Sequence, residues 1–373
     1  MAEPTFLPRA SFQTLLDALA RAGYRCIGPQ RRDGAIVYDT LRGPEDLPQG
    51  ARDIQSPGRY RIERPDGPRC FAWANGPQAL KPFLFAPRES LWRSERDAGS
   101  AINFAEVRPA SEPLAVIGAR ACDLAALKLQ DRHFLEGPFA DAAYGARREQ
   151  LFLVAIHCTH PADTCFCVST GDGPRATDGF DLALSELDDG FLVQAGSEKG
   201  AAVAAQLPLE KSAPAQRDAA EREIGAAAQK QARRLPGRNL RDALFANLEH
   251  PRWEEVAARC LSCGNCTSVC PTCFCHSESD RPSLDGTVSV HVREWDSCFT
   301  QGHSYIHGIV IRADTRTRYR QWLTHKLGSW HDQYGRSGCV GCGRCITWCP
   351  VGIDITAEVA VICSAEFGVR SAE

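Results

Sequence analysis

Apolar residues recur along this chain with two different periods, and the changes of period predict its elements. In SFQTLLDALARA (11–22), Phe12, Leu15, Leu16 and Leu19 fall on one face of a helix that Ser11 can cap and Gly23 can end. AIVYD (35–39), RYRIER (59–64) and RCFAWA (69–74) are strand-like pieces between Gly and Pro turns, which predicts a β-rich region. Two unbroken apolar runs follow, LAVIGA (114–119) and LFLVAI (151–156), each with the length and composition of a strand buried on both faces. The first leads through a turn at Arg120–Cys122 into a helix starting near Asp123. Each run delivers a cysteine, Cys122 and Cys158, at its C-terminal end, where α/β folds place their ligand sites. From Gly196 to about Ala232 the chain is rich in Ala, Glu, Lys and Gln, as expected of surface helices, and NLRDALFANLEHPRWEEVAARC (239–260) predicts a further helix. The expected class is α+β in three stretches: a β-rich region over 1–110, an α/β region over 111–240, and a helical unit over 241–373.

The cysteines turn this outline into chemistry. Cys260, Cys263, Cys266 and Cys270 precede Pro271, and Cys339, Cys342, Cys345 and Cys349 precede Pro350, so CxxCxxCxxxCP occurs twice. That is the spacing with which bacterial-type ferredoxins hold two [4Fe-4S] clusters. Three thiolates two residues apart can wrap three corners of a cube, while the fourth, beside proline, is turned away toward the other cluster. On these positions the crossed arrangement gives one cluster Cys260, Cys263, Cys266 and Cys349, and the other Cys339, Cys342, Cys345 and Cys270. Gly264, Gly341 and Gly343 lie between ligands, where bare backbone can approach sulfide. Paired zinc knuckles are the alternative, but zinc sites usually take two CxxC pairs or mixed Cys/His sets. The C-terminal unit is therefore expected to be a ferredoxin-like dicluster domain with a long insertion between its motifs.

Cys158, Cys165 and Cys167 in HCTHPADTCFC form a further close set, and with Cys122 they make the complement of a third [4Fe-4S] cluster. Buried thiols acting as small hydrophobes are the alternative. Cys273 and Cys275 (PTCFCH) with Cys298 (WDSC) form a trio in the insertion, for which His276 or His303 could supply a fourth ligand; packing around the ferredoxin-type clusters is the alternative. A Rieske centre assembled from Cys158, His160, Cys273 and His276 is set aside because the two halves are too far apart in sequence. Arg312, Arg316, Arg318, Arg320 and Lys326 make a basic helical run that is either a solvated face, a docking surface or a screen for cluster charge.

The remaining features mainly exclude. The chain has 373 residues, enough for two or three domains, and its 43% hydrophobic and 24% charged residues are those of an ordinary globular protein. No apolar run approaches the roughly 18 residues of a membrane span, and the N-terminal stretch lacks a secretion pattern, so a cytoplasmic location is expected. There, eighteen cysteines should be reduced, and metal is the economical explanation for so many. A net charge of −3 argues against a general nucleic-acid binder. GxGxxG, GxxxxGK[ST] and GxSxG are absent; GDGPRATDG (171–179) reads as a surface turn rather than a nucleotide loop.

PLAVIGARACDLAALKLQDRHFL, HCTHPADTCFC, CLSCGNCTSVCPTCFC, REWDSC and CVGCGRCITWCPVGIDI, in this order, resemble the iron-sulfur β subunit of cytoplasmic bidirectional [NiFe] hydrogenases (sulfhydrogenases), a pattern shared with the iron-sulfur subunit of anaerobic sulfite reductase. The resemblance covers about residues 50 to 355. It implies a non-catalytic electron-transfer subunit of a hetero-oligomeric complex, in which a flavin subunit handles NAD(P)H and another subunit carries the nickel-iron or sirohaem site. Ligand roles carry over to the eight ferredoxin-type cysteines and, less directly, to Cys122, Cys158, Cys165 and Cys167. An enzyme reading, in which the N-terminal cluster site binds substrate sulfur, stands beside it.

Overall fold

The computed structural model describes residues 3–63, 67–78, 80–97, 101–107 and 112–364. The boundary expected at residues 110 and 111, and the last residue of RYRIER, lie outside these. The two apolar runs form adjacent parallel strands, Leu114–Ala119 and Leu151–Ile156, in which every residue is buried. They lie inside an eight-stranded sheet. From edge to edge it runs Glu210–Lys211, Thr5–Pro8, Gly190–Ala195, Leu182–Glu186, Leu151–Ile156, Leu114–Ala119, Arg25–Arg32 and Ala35–Thr40. The four-strand centre is parallel, with Leu182–Glu186 and Arg25–Arg32 flanking the two apolar runs. Parallel strands require crossovers, and helix Ala121–Leu135 lies in the one that joins the two apolar runs. Helix Phe12–Arg21 packs Phe12, Leu15, Leu16 and Leu19 into the same core, as its periodicity predicts, and ends at Gly23 with φ of +87°.

RCFAWA is not a strand, and buried carboxylates are the reason. The N–H groups of Cys70 and Phe71 donate to the two oxygens of Glu186 at 2.7 and 2.8 Å, and those of Ala74 and Asn75 donate to Asp53. With its donors satisfied by side chains, this segment needs no ladder partner. The predicted helix over 239–260 is two helices, Arg241–Ala246 and Arg252–Arg259, interrupted at His250 and Pro251.

A second sheet crosses the division expected near residue 240. It runs, antiparallel throughout, His276–Pro282, Val288–Trp295, Arg88–Arg96 and Ile102–Glu106, so that Val288–Trp295, between the two cysteine motifs, pairs with Arg88–Arg96 from the N-terminal part. Arg293 fastens this sheet from its buried position: its guanidinium contacts Glu89 and bonds Asp141 at 2.5 Å, while Arg147 bonds Glu89 at 2.7 Å. Helices Thr315–Thr324, its continuation to Tyr334, and Ile355–Ile362 enclose a second core with Trp253, Val256, Tyr319, Trp322 and Ile346. Arg318 belongs to that core, donating to the carbonyls of Arg312, Ala313 and Phe299, whereas Arg316 and Arg320 pair with Glu249.

Arg293→Met leaves two buried carboxylates without this partner, a loss on the order of 3–5 kcal/mol. A clearly lowered thermal midpoint is expected, and protease should cut first within 276–295; an unchanged midpoint would show that Arg147 suffices.

Candidate iron-sulfur centres

The two motif loops share one backbone design. Ser262 and Gly264 in the first, and Gly341 and Gly343 in the second, have positive φ at equivalent positions, and a short helix follows each, Asn265–Ser268 and Arg344–Thr347. This turning aims N–H groups at sulfur. Ser262 N–H donates to Cys260 Sγ at 3.4 Å, Gly341 N–H to Cys339 Sγ at 3.4 Å, and Ile353 N–H to Cys349 Sγ at 3.3 Å.

Around these loops the fourth cysteines cross over. Cys260, Cys263, Cys266 and Cys349 border one apolar recess, which Phe299, Tyr319, Trp322 and Ile355 also line and which Cys345 of the second motif reaches. Cys260 and Cys349 both act electrostatically on the Cys266 thiol. Cys345 is acted on by Cys339, Cys342 and Cys270, which form the second group. Lys326 lies against this group, fully buried, with Nζ 2.9 Å from Thr272 Oγ1; the nearby Cys270, Cys273 and Cys339 hold its ammonium above the usual lysine range despite burial. Lys81, equally buried, has Nζ 3.8 Å over the ring of Trp295 and donates to the carbonyls of Thr267 and Ser268.

The N-terminal cysteines form the third group. Cys122 sits in the first turn of its helix, Cys158 just beyond strand Leu151–Ile156, Cys165 on the following loop, and Cys167 at the start of the short helix Cys167–Thr170. Cys167 acts on Cys122 and Cys165, and Cys158 acts on Cys165 and Cys167. Cys122, Cys165 and Cys167 are also influenced by Cys342 of the second motif. The loops are in contact: Phe166 N–H donates to Gly341 O at 2.8 Å, and Asn75 Nδ2 donates to Cys342 O at 2.8 Å beside Cys165 Sγ. Gln231 Nε2 lies 3.3 Å from Cys167 Sγ.

These groups fit metal clusters on chemical grounds. Burial pushes most of these thiols toward their protonated form, Cys167 and Cys339 to about 12, and neighbouring thiolates push the same way, whereas Cys270 is held well below the usual thiol range by Cys273, Lys326 and Thr272. Thiols so placed ionise only beside strong positive charge of the kind a metal centre provides. Among the described residues no three His, Cys, Asp or Glu side chains close on a point suited to one ion. The buried cations also fit clusters of net negative charge. Arg344 pairs with Asp123 at 2.9 Å between Cys122 and Cys342. Arg120 donates to the carbonyls of Phe71 and Trp73, yet its Nε and second terminal nitrogen are buried without partners, and its charge favours the Cys158 thiolate.

Arg120, Arg344, Lys81, Asn75 and Gln231 were not legible as site residues, whereas Lys326 stood in the basic run weighed as a screen for cluster charge. The former come from distant segments, and only Arg120 and Arg344 stand beside a motif in sequence. His160 turns to Asp53 O at 3.0 Å, and His276 Nδ1 lies 3.1 Å from its neighbour's carbonyl, Phe274 O. Cys26 and Cys70 are buried in the first core.

Residues 259–353 match the family model of the 4Fe-4S dicluster domain. The chain is 31% identical over 282 residues, 74% of its length and 79% of the relative's, to sulfhydrogenase 2 subunit beta of Pyrococcus furiosus. No solved structure matches it. A doubled ferredoxin-type motif, a dicluster domain and likeness along most of both chains lead to one conclusion: the chain belongs to the sulfhydrogenase β-subunit family and is an iron-sulfur electron-transfer subunit.

Proposed function

We propose that the chain is a three-cluster electron conduit. One [4Fe-4S] cluster is held by Cys260, Cys263, Cys266 and Cys349, the next by Cys339, Cys342, Cys345 and Cys270, and a third by Cys122, Cys158, Cys165 and Cys167. Each cluster, when bound, accepts and returns a single electron. The observation that carries this reading is the unbroken succession of thiol groups: Cys342 acts on the N-terminal group, and Cys345 is acted on by Cys266 of the first. Residues 241–373 act as the dicluster unit and the α/β part as the seat of the third cluster. The protein's share of the work is to exclude water, donate N–H bonds to sulfur and place Lys326, Arg344 and Arg120 where added negative charge would fall.

The first group reaches the surface, where Cys263 is exposed beside Leu261 and Val351, which gives one end of the row a partner-facing port. We assign the ends of the conduit to a flavin/NAD(P)H subunit and a nickel-iron catalytic subunit in a cytoplasmic complex. Likeness to a sulfhydrogenase subunit favours this over membership of an anaerobic sulfite reductase with a sirohaem subunit. Among the described residues no helix is long and apolar enough to cross a membrane. Four thiols around the N-terminal site favour a relay over a substrate-binding cluster with an open corner.

Anaerobically purified protein should hold about twelve irons and twelve sulfides per chain, and Cys165→Ser about eight of each; eight in the unaltered protein would return the N-terminal thiols to a structural role. Gly343→Ala would set a Cβ 2.4 Å from Thr164 O at a φ of +75°. Strain of about 1–3 kcal/mol plus this clash should part the two loops, read as loss of iron. Lys326→Met should lower the midpoint potential of one cluster by tens of millivolts, because a buried positive charge stabilises the reduced form; an EPR-monitored titration checks it, and Lys326→Arg should restore most of the shift.

A further inference from the structure

Cys275 and Cys298 lie outside the twelve thiols assigned above, yet they sit just beyond the end of the ladder that pairs His276 with Trp295, and each acts on the other's ionisation. His303 also bonds Cys275, and Asp296 holds the other side of that imidazole, with Oδ2 3.0 Å from Nδ1. The Asp296 N–H donates to Cys275 O at 2.9 Å, so the segments bearing both cysteines are joined through backbone as well. Their position lies between the two ferredoxin-type sites. Cys273, two residues before Cys275, bonds Cys270 of the second site. On the other side, Ser297 receives a hydrogen bond of 2.8 Å from Thr267, the neighbour of Cys266 in the first site, and Cys266 acts on the Cys298 thiol.

We propose that Cys275 and Cys298 form a dithiol/disulfide couple that exchanges electrons with both ferredoxin-type clusters, turning two single-electron transfers into one two-electron step. For its electrons the couple rests on the cluster reading above; for its thiols it does not. In the reducing direction one electron arrives from each of two reduced [4Fe-4S] clusters and the S–S bond breaks. One solvent proton goes to Cys298 and one to His303, whose imidazolium then faces the Cys275 thiolate. Oxidation reverses each transfer. Two one-electron donors flanking the pair let the bond open without releasing a sulfur radical. Cys298 and the bond from His303 push Cys275 down to about 4, which marks it as the thiolate partner.

The test uses anaerobic holoprotein equilibrated in mixtures of reduced and oxidised dithiothreitol, quenched with iodoacetamide and digested for mass spectrometry. The expected result is that Cys275 and Cys298 leave the alkylated pool together, as a cross-linked pair, with a two-electron dependence. One-electron photoreduction by deazaflavin should then return both thiols as the cluster signals develop. Cysteines that stay alkylatable throughout would overturn the couple. So would zinc, or iron beyond the clusters, that falls on Cys298→Ser, because the pair would then be a metal site. Reduced clusters coexisting with an intact disulfide would overturn the exchange. His303→Ala should slow alkylation of Cys275 about tenfold at neutral pH without altering the cluster spectra; an unchanged rate would remove His303 from the couple. Iron and sulfide in the same sample report the clusters separately: a pair that titrates in protein without iron would overturn the cluster reading and the exchange, and leave a bare dithiol.

Discussion

The backbones of two loops from distant parts of the chain meet without side chains between them. A Cβ on Gly341 would lie 2.5 Å from Cys167 N, and one on Gly343 would lie 2.4 Å from Thr164 O. Only glycine permits this approach, and both positions also have the positive φ that the motif loop requires. The contact brings the N-terminal thiols to the second ferredoxin-type group, and so joins a parallel-sheet scaffold to a dicluster unit. The rest of the architecture holds this contact in place: the shared four-stranded sheet, the Arg293 ion pairs and the bond from Phe166 to Gly341.

Buried charge has a consistent logic in this interior. Unpaired cations inside a protein are costly, and Lys81, Lys326, Arg120 and Arg344 are all nearly inaccessible. Arg344 has Asp123, but the other three rely largely on carbonyl oxygens or aromatic faces and on the thiols beside them. On the proposed reading both difficulties resolve together: the cations would favour thiolates, and cluster charge would satisfy the cations. The basic helical run in the sequence therefore divides by position. Arg316 and Arg320 make surface pairs of small energetic weight, Arg318 caps carbonyls, and Lys326 faces the thiols.

What the sequence made legible was local. The strands over 114–119 and 151–156 and the helix over 12–21 follow from apolar period, and the two motif loops follow from cysteine spacing. The grouping of Cys122 with Cys158, Cys165 and Cys167 was accessible because adjacent parallel strands bring their C-terminal ends together. Long-range satisfaction was not legible. RCFAWA has strand composition but gives its N–H groups to Glu186 and Asp53, and no pattern near residue 72 points to either. The pairing of Val288–Trp295 with Arg88–Arg96 was equally hidden, since alternation shows that a strand exists but not where its partner lies.

A three-cluster conduit requires three clusters in adjacent positions along one row. EPR spectroscopy of the fully reduced protein tests it most directly, because neighbouring reduced clusters couple magnetically. An integrated intensity approaching three spins per chain, in a broadened, interacting spectrum, is expected. Two spins per chain, with nothing further developing at lower potential, would contradict it.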